Sequence, residues 1–274
     1  MYTAFNLQIN LEDFPNVEEY IRLGKQRKED LNHLAIKELN DFLLSEEILD
    51  GKKLSNSWFK TIESDVFISH SHNDTNLAYA LAGWLKKEFD LEVFLDEVVW
   101  GNADTLLKKI DEKYCKQENS KNYDYNKRNF STSHVHAMLS TAIHSVMDNA
   151  EAIFFLNTNE SFPPIKDVLN EDSTYTLSPW IYQETINAKL LRITKWEEYR
   201  KRKGLRHSAN ESFSNKLNIA YKTPLSEFTI ANKDALFLWQ KKYSDFLKTP
   251  YAKLFSLDYN HPLNYLYEIV FEKK

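Results

Sequence analysis

Between Ser64 and Asp96 the pattern of apolar and polar positions changes period twice. Val66, Phe67 and Ile68 form a short β-branched and aromatic run with no helical period. The polar stretch Ser69-His70-Ser71-His72-Asn73-Asp74 breaks it. Leu77, Leu81, Trp84, Leu85 and Phe89 then recur at helical spacing, with Asp74 or Thr75 placed to cap the first turn. Val93-Phe94-Leu95 reads as a second buried strand, ending at Asp96. Two apolar strands joined by an amphipathic helix predict a βαβ unit, and so a parallel sheet covered on both faces. Ligands of such sheets sit outside the carboxyl ends of the strands. That rule puts His70 and Asp96 at the mouth of any site.

Elsewhere the pattern is mainly helical. Leu31, Leu34, Ala35, Leu39, Phe42 and Leu43 lie on one stripe, and Asn16 is placed to cap an earlier helix through Val17-Glu18-Glu19-Tyr20. Residues 1–62 are therefore expected to form a helical extension. Glu97 to Asn102 reads as a loop and Thr105 to Tyr114 as a helix. Lys116 to Arg128 is polar and rich in Asn, Lys and Tyr, which predicts a loop or insertion. Val135, Met138, Leu139, Ala142, Ile143, Val146 and Met147 make the cleanest helical stripe of the chain, followed by the buried strand Ala152-Ile153-Phe154-Phe155-Leu156. After Leu191 come a charged stretch over Lys195 to Ser214, short strand candidates at Leu217 to Tyr221 and Phe228 to Ile230, and two closing helices.

Composition narrows the possible functions. The 274 residues carry a net charge of −5, which argues against a general nucleic-acid binder. The single cysteine, Cys115, excludes an internal disulfide and suits a reducing cytosol. No apolar run approaches the roughly 20 residues of a spanning helix, and the first residues lack the pattern of a signal peptide. The expected location is the cytoplasm, with no membrane and no nucleic-acid partner. Only five glycines are present and none forms a dinucleotide fingerprint or P-loop, so hydride transfer on a Rossmann fold is not expected. His134, His136 and His144 share a helix, but no carboxylate or cysteine falls at ligand spacing, and no metal site is expected.

The chemistry-bearing stretch is Ser178-Pro179-Trp180-Ile181-Tyr182-Gln183-Glu184. Ser178 is a good N-cap and Pro179 suits the first helical position, so a helix starts here. Trp180 and Glu184 are four apart and share a face. Ile186, Ala188, Leu190 and Leu191 around them are mostly apolar. On spacing alone, Glu184 is either a solvated acid favoured by the helix dipole or a carboxylate held inward for a reason.

The wording of the opening unit is more specific. DVFISHS over 65–71, an amphipathic helix, VFLD over 93–96 and a following Trp100-Gly101 together resemble the start of a Toll/interleukin-1 receptor (TIR) domain of the bacterial stand-alone type. The resemblance covers about residues 63–192. It implies an α/β, flavodoxin-like parallel sheet, here a TIR domain over 63–274 with an insertion near 113–131 and a C-terminal helical extension. It also implies cleavage of NAD+ between nicotinamide and ribose. The glutamate four residues after a helix tryptophan is the catalytic residue of such domains, and Trp180 and Glu184 match that spacing. NAD+ is then the substrate and no cofactor is expected. Ser69 and His70 are candidates to bond ribose or phosphate oxygens. Asp96 and Trp100 are placed to order the closing loop, and Trp100 or Trp180 to wall a base. Expected partners are further copies of the chain, through TIR contacts near Trp100-Gly101, and an activator or effector protein. The implied setting is antiphage defence, by NAD depletion or a signal nucleotide. A non-enzymatic adaptor and another nucleoside N-glycosidase remain alternatives.

Overall fold

The structure, a computed structural model, describes residues 1–32, 39–45, 48–59, 62–117, 122–164, 174–191, 193, 221–253 and 260–271. In chain order the strands are β1 (Thr3–Gln8), β2 (Leu43–Ser45), β3 (Ile48–Leu49), β4 (Val66–Ser69), β5 (Val93–Leu95), β6 (Ala152–Leu156), β7 (Tyr175–Thr176), β8 (Tyr221–Lys222) and β9 (Thr229–Asn232). The helices are α1 (Val17–Asn32), α2 (Gly51–Trp58), α3 (Thr75–Phe89), α4 (Glu97–Ile110), α5 (Tyr125–Asn149), α6 (Pro179–Leu190), α7 (Lys233–Leu247) and α8 (Pro262–Phe271).

Five strands form one parallel sheet in the order β5-β4-β6-β1-β9. The pleat sends alternate side chains to opposite faces. Phe5, Leu7, Val66, Ile68, Val93, Leu95 and Phe154 enter one core, roofed by α1, α3, α7 and α8. Ala4, Phe67, Phe94, Ile153 and Phe155 enter the other, under α2, α4, α5 and α6. The protein is thus an α/β fold with helices on both faces of a parallel sheet. Counting β4 as the first strand, β5-β4-β6 reproduces the 2-1-3 start of a flavodoxin-like order, and the fifth place falls to β9.

The fourth place is filled from the N-terminus, which corrects the expectation of a helical extension over 1–62. Thr3–Gln8 pairs with β6 on one side and β9 on the other. Phe5 and Leu7 supply one core and Ala4 the other, with Asn6 buried beside Ala4, so the segment is covered on both faces, as an interior strand is. Part of that region is helical: α1 packs on α3 with backbone touching backbone. A Cβ on Gly24 would lie 2.1 Å from the Tyr79 carbonyl oxygen, and one on Gly83 2.0 Å from that of Tyr20. The pairing of 24 with 79 and 20 with 83 makes the two helices antiparallel, so α1 ends at the carboxyl edge of the sheet, where α3 begins.

Other expectations also shift. Glu97 to Asn102 is helical, the first turns of α4, and not a loop. The polar insertion is helical from Tyr125 onward, where Asp124 caps α5 by accepting the Lys127 N–H at 2.9 Å. Leu54 to Trp58 lies in α2. Phe228 to Ile230 corresponds to β9. Of the proposed strand 217–221 only Tyr221 is described, in a small antiparallel pairing of β7 with β8. The charged stretch 195–214 and positions 33–38 of the first helical stripe lie outside the described residues. Among the described residues no helix is long and apolar enough to cross a membrane.

Candidate active site

The chain leaves β4 through α3 to β5 on one side, then returns to β6 on the other side of β4. This reversal makes a topological switch point at the carboxyl ends of β4 and β6, the position where doubly wound sheets bind ligands. Ser69, His70, Asp96 and Glu184 are all brought there.

Glu184 arrives on α6. Ser178 caps that helix by accepting the Ile181 N–H at 3.3 Å, and Pro179 starts it. Ile181, Glu184, Thr185 and Ala188 form its buried face, so the carboxylate is the one ionisable group on that face. Glu184 is only 1% exposed. Ser69, the last residue of β4, donates its hydroxyl to Glu184 Oε2 at 2.5 Å. The other oxygen, Oε1, is buried with no hydrogen-bond partner. Burial pushes the carboxyl well above its ordinary range, the Asp96 charge adds to this, and the Ser69 bond opposes it.

His70 and Asp96 form the adjoining pair. The His70 backbone N–H donates to Asp96 Oδ2 at 3.2 Å, and ring Nδ1 lies 2.7 Å from Oδ1. Both residues are buried. Burial works against a charged ring, yet Asp96 more than offsets it, with Glu97 and Asp74 adding, and the His70 pKa is raised. The buried edge therefore holds a titratable cluster of Glu184, Asp96 and His70 around one serine.

A second network ties the loop after β4 to the loop after β6. Asp74 stands at the N-cap of α3 but makes no side-chain cap. It accepts instead from Thr158 Oγ1 at 2.6 Å and Ser161 Oγ at 2.8 Å. Ser161 Oγ in turn accepts the Ser71 N–H at 2.9 Å, and Asn73 donates to Glu160 at 2.6 Å. Thr176 donates to the Ser161 carbonyl at 2.8 Å, which anchors the chain just before α6. Sequence reasoning missed Thr158, Ser161 and Thr176. The signal was present, because NTNESF over 157–162 follows the strand Ala152–Leu156 and must also lie at the carboxyl edge.

The tryptophans are placed differently. Trp180 is half-buried, and its ring meets His136 of α5 edge-on at 5.7 Å. Burial lowers the His136 pKa to about 4, so that ring is neutral near pH 7. Trp100 lies in α4, and its side chain is outside the described residues. Cys115 is buried, and that burial pushes its thiol up, away from nucleophilic character. Among the described residues no group of three or more His, Cys, Asp and Glu is arranged to hold a metal. No family model, no curated protein and no solved structure matches the chain, so its chemistry has to be read from the site itself.

Proposed function

We infer that the chain is a TIR-type enzyme that cleaves NAD+ at the bond between nicotinamide and ribose. The observation that carries this reading is Glu184, a carboxylate 1% exposed with one oxygen unpartnered, at the switch point of a parallel sheet. Burying an acid costs free energy, and acids raised by burial beside a like charge cluster at functional sites.

The chemistry suits a single carboxylate. When the glycosidic bond breaks, its electron pair leaves with nicotinamide, which departs neutral and needs no proton. The ribosyl carbon develops oxocarbenium character, as in glycoside hydrolysis. Glu184 faces that charge, and Oε1 is available to a ribose hydroxyl while Oε2 is held by Ser69. The cationic nicotinamide ring of the substrate, placed against the carboxylate, also favours the ionised form of a carboxyl that burial has raised. Attack by water then yields ADP-ribose and releases a proton, while attack by an internal or second nucleophile yields a cyclic or conjugated product. Activity in antiphage defence, by NAD depletion or a signal nucleotide, follows from the same resemblance.

The burial of Glu184 requires neighbours to move before substrate reaches it, which fits an enzyme switched on by assembly or by an activator. The same burial favours a second reading, an adaptor that self-associates without catalysis. Incubating the purified chain with NAD+ and identifying products by mass spectrometry separates the two. Nicotinamide release per molecule that rises with protein concentration and is lost in Glu184→Gln is the expected result. Intact NAD+ at every concentration, with or without added partners, removes the enzymatic reading. Cleavage of nucleosides but not NAD+ in the same assay identifies a different N-glycosidase.

A further inference from the structure

Glu97, the first residue of α4, follows Asp96 directly and has no part in the cleavage chemistry above. Its carboxylate is gripped from two other elements. Lys28 Nζ, near the end of α1, donates to Oε1 at 2.7 Å, and Tyr79 OH of α3 donates to Oε2 at 2.8 Å. Lys28 also donates to the Tyr79 hydroxyl at 2.8 Å, closing a triangle. The preceding residue, Arg27, donates to the Val93 carbonyl at 3.0 Å and pairs with Glu92 at 3.0 Å. Successive basic residues of α1 thus hold the start of β5 and the start of α4. Asp96 lies between those two points.

The grip bears on the site because α4 has no ordinary cap. Asp96 occupies the N-cap position with helical dihedrals, φ −58° and ψ −33°, and its side chain makes no bond to the helix. Both its oxygens turn to His70 instead. The first turn of α4 is tethered through Glu97. Burial works against the Glu97 charge, but the bonds from Lys28 and Tyr79 outweigh it and its pKa is lowered. The contacts of Gly24 and Gly83 with the facing backbones leave α1 little room to shift relative to Tyr79.

We propose that Lys28 and Tyr79 are positioning residues of the candidate site: by gripping Glu97 from α1 and α3 they set the start of α4, and with it the Asp96 carboxylate that holds His70. The proposal rests on the functional reading only in taking this edge as the working site. The charged groups facing His70 are Asp96, Glu97 from α4 and Asp74 from the start of α3. Glu184 of α6 reaches the same cluster through Asp96. Lys28 is the cation that neutralises Glu97.

The test follows the His70 ring by NMR across a pH titration of the full chain. Lys28→Met keeps the stem but strips the cation, so the grip on Glu97 is lost, Asp96 no longer holds the ring and the His70 midpoint moves down, where the bared Glu97 charge alone would move it up. Glu97→Gln removes that charge and moves the midpoint down, while Lys28→Arg returns it toward wild type. In parallel, Lys28→Met lowers kcat for NAD+ cleavage about tenfold or more with KM little changed, as a misplaced first turn should. A midpoint equal to or above wild type in folded Lys28→Met overturns the proposal, whatever the cleavage assay reads. A lowered Lys28→Met midpoint in a protein that never cleaves NAD+ upholds the positioning role and rejects the enzymatic reading. Should Lys28→Met fail to fold, Tyr79→Phe deletes a single hydroxyl and carries the same test, with a downward midpoint expected and an unchanged or raised one decisive against.

Discussion

Ser69 and Glu184, 115 residues apart in sequence, meet through a 2.5 Å hydrogen bond at the carboxyl edge of the sheet. One ends a central strand and the other sits on the buried face of α6. The bond leaves one Glu184 oxygen free and links the acid to the residue beside His70. Several outcomes depend on that arrangement.

Glu184→Gln should reduce NAD+ cleavage by about two to three powers of ten, since it removes charge that stabilises a cationic transition state. The variant should also be the more stable protein at neutral and alkaline pH. A carboxyl raised by burial contributes stability below its unfolded value, about 4.3, and loses it as pH rises through the folded value. Glutamine has no such loss, so its advantage should grow with pH in denaturant titrations. Wild-type turnover by the folded variant would sink the assignment.

Ser69→Ala removes the bond that favours ionised Glu184, so the carboxyl should climb further. The acidic limb of the pH–rate profile should then move to higher pH. Stability at neutral pH should fall by about 1–3 kcal/mol, the cost of leaving a buried group unsatisfied. A pH–rate profile superimposable on wild type would show that Glu184 is not the titrating group.

His70→Ala leaves the buried Asp96 carboxylate with the residue-70 backbone N–H but without the ring, at a cost of up to about 3–5 kcal/mol. The His70 pKa is raised, so the pair contributes fully below the unfolded value of about 6.5 and less as pH rises through the folded one. The difference between wild type and variant should therefore be largest in mild acid and shrink toward alkaline pH. Unfolding measured at several pH values checks this, and a pH-independent difference would argue that the ring is neutral throughout.

Gly83→Ala places a methyl carbon 2.0 Å from the Tyr20 carbonyl oxygen, where only backbone can yield. The helices α1 and α3 must separate, costing about 1–3 kcal/mol or more. Thermal unfolding should show the loss. Gly51→Ala, whose new methyl would meet the Met138 methyl at 3.8 Å, should not show an overpacking loss of that kind. Equal stability of Gly83→Ala and wild type would contradict the close helix contact.

The sequence alone determined the βαβ unit, the buried strand Ala152–Leu156 and the start of α6. Those features are written in local terms: a period of 2 or 3.6, a serine cap and a proline at the first turn. They also placed Ser69, His70 and Asp96 at strand ends, because a parallel strand has only one carboxyl edge. The place of Thr3–Gln8 was not legible, since six residues of mixed polarity carry too short a pattern to announce an interior strand. The helical start of α4 was hidden as well, because Val98, Val99 and Gly101 are poor helix formers that tertiary contacts through Glu97 override. Only the tertiary structure decided that Glu184 is buried rather than solvated, that Ser69 is its partner, and that Lys28 reaches Glu97. Such contacts join residues far apart in the chain, where no local period or capping rule records them.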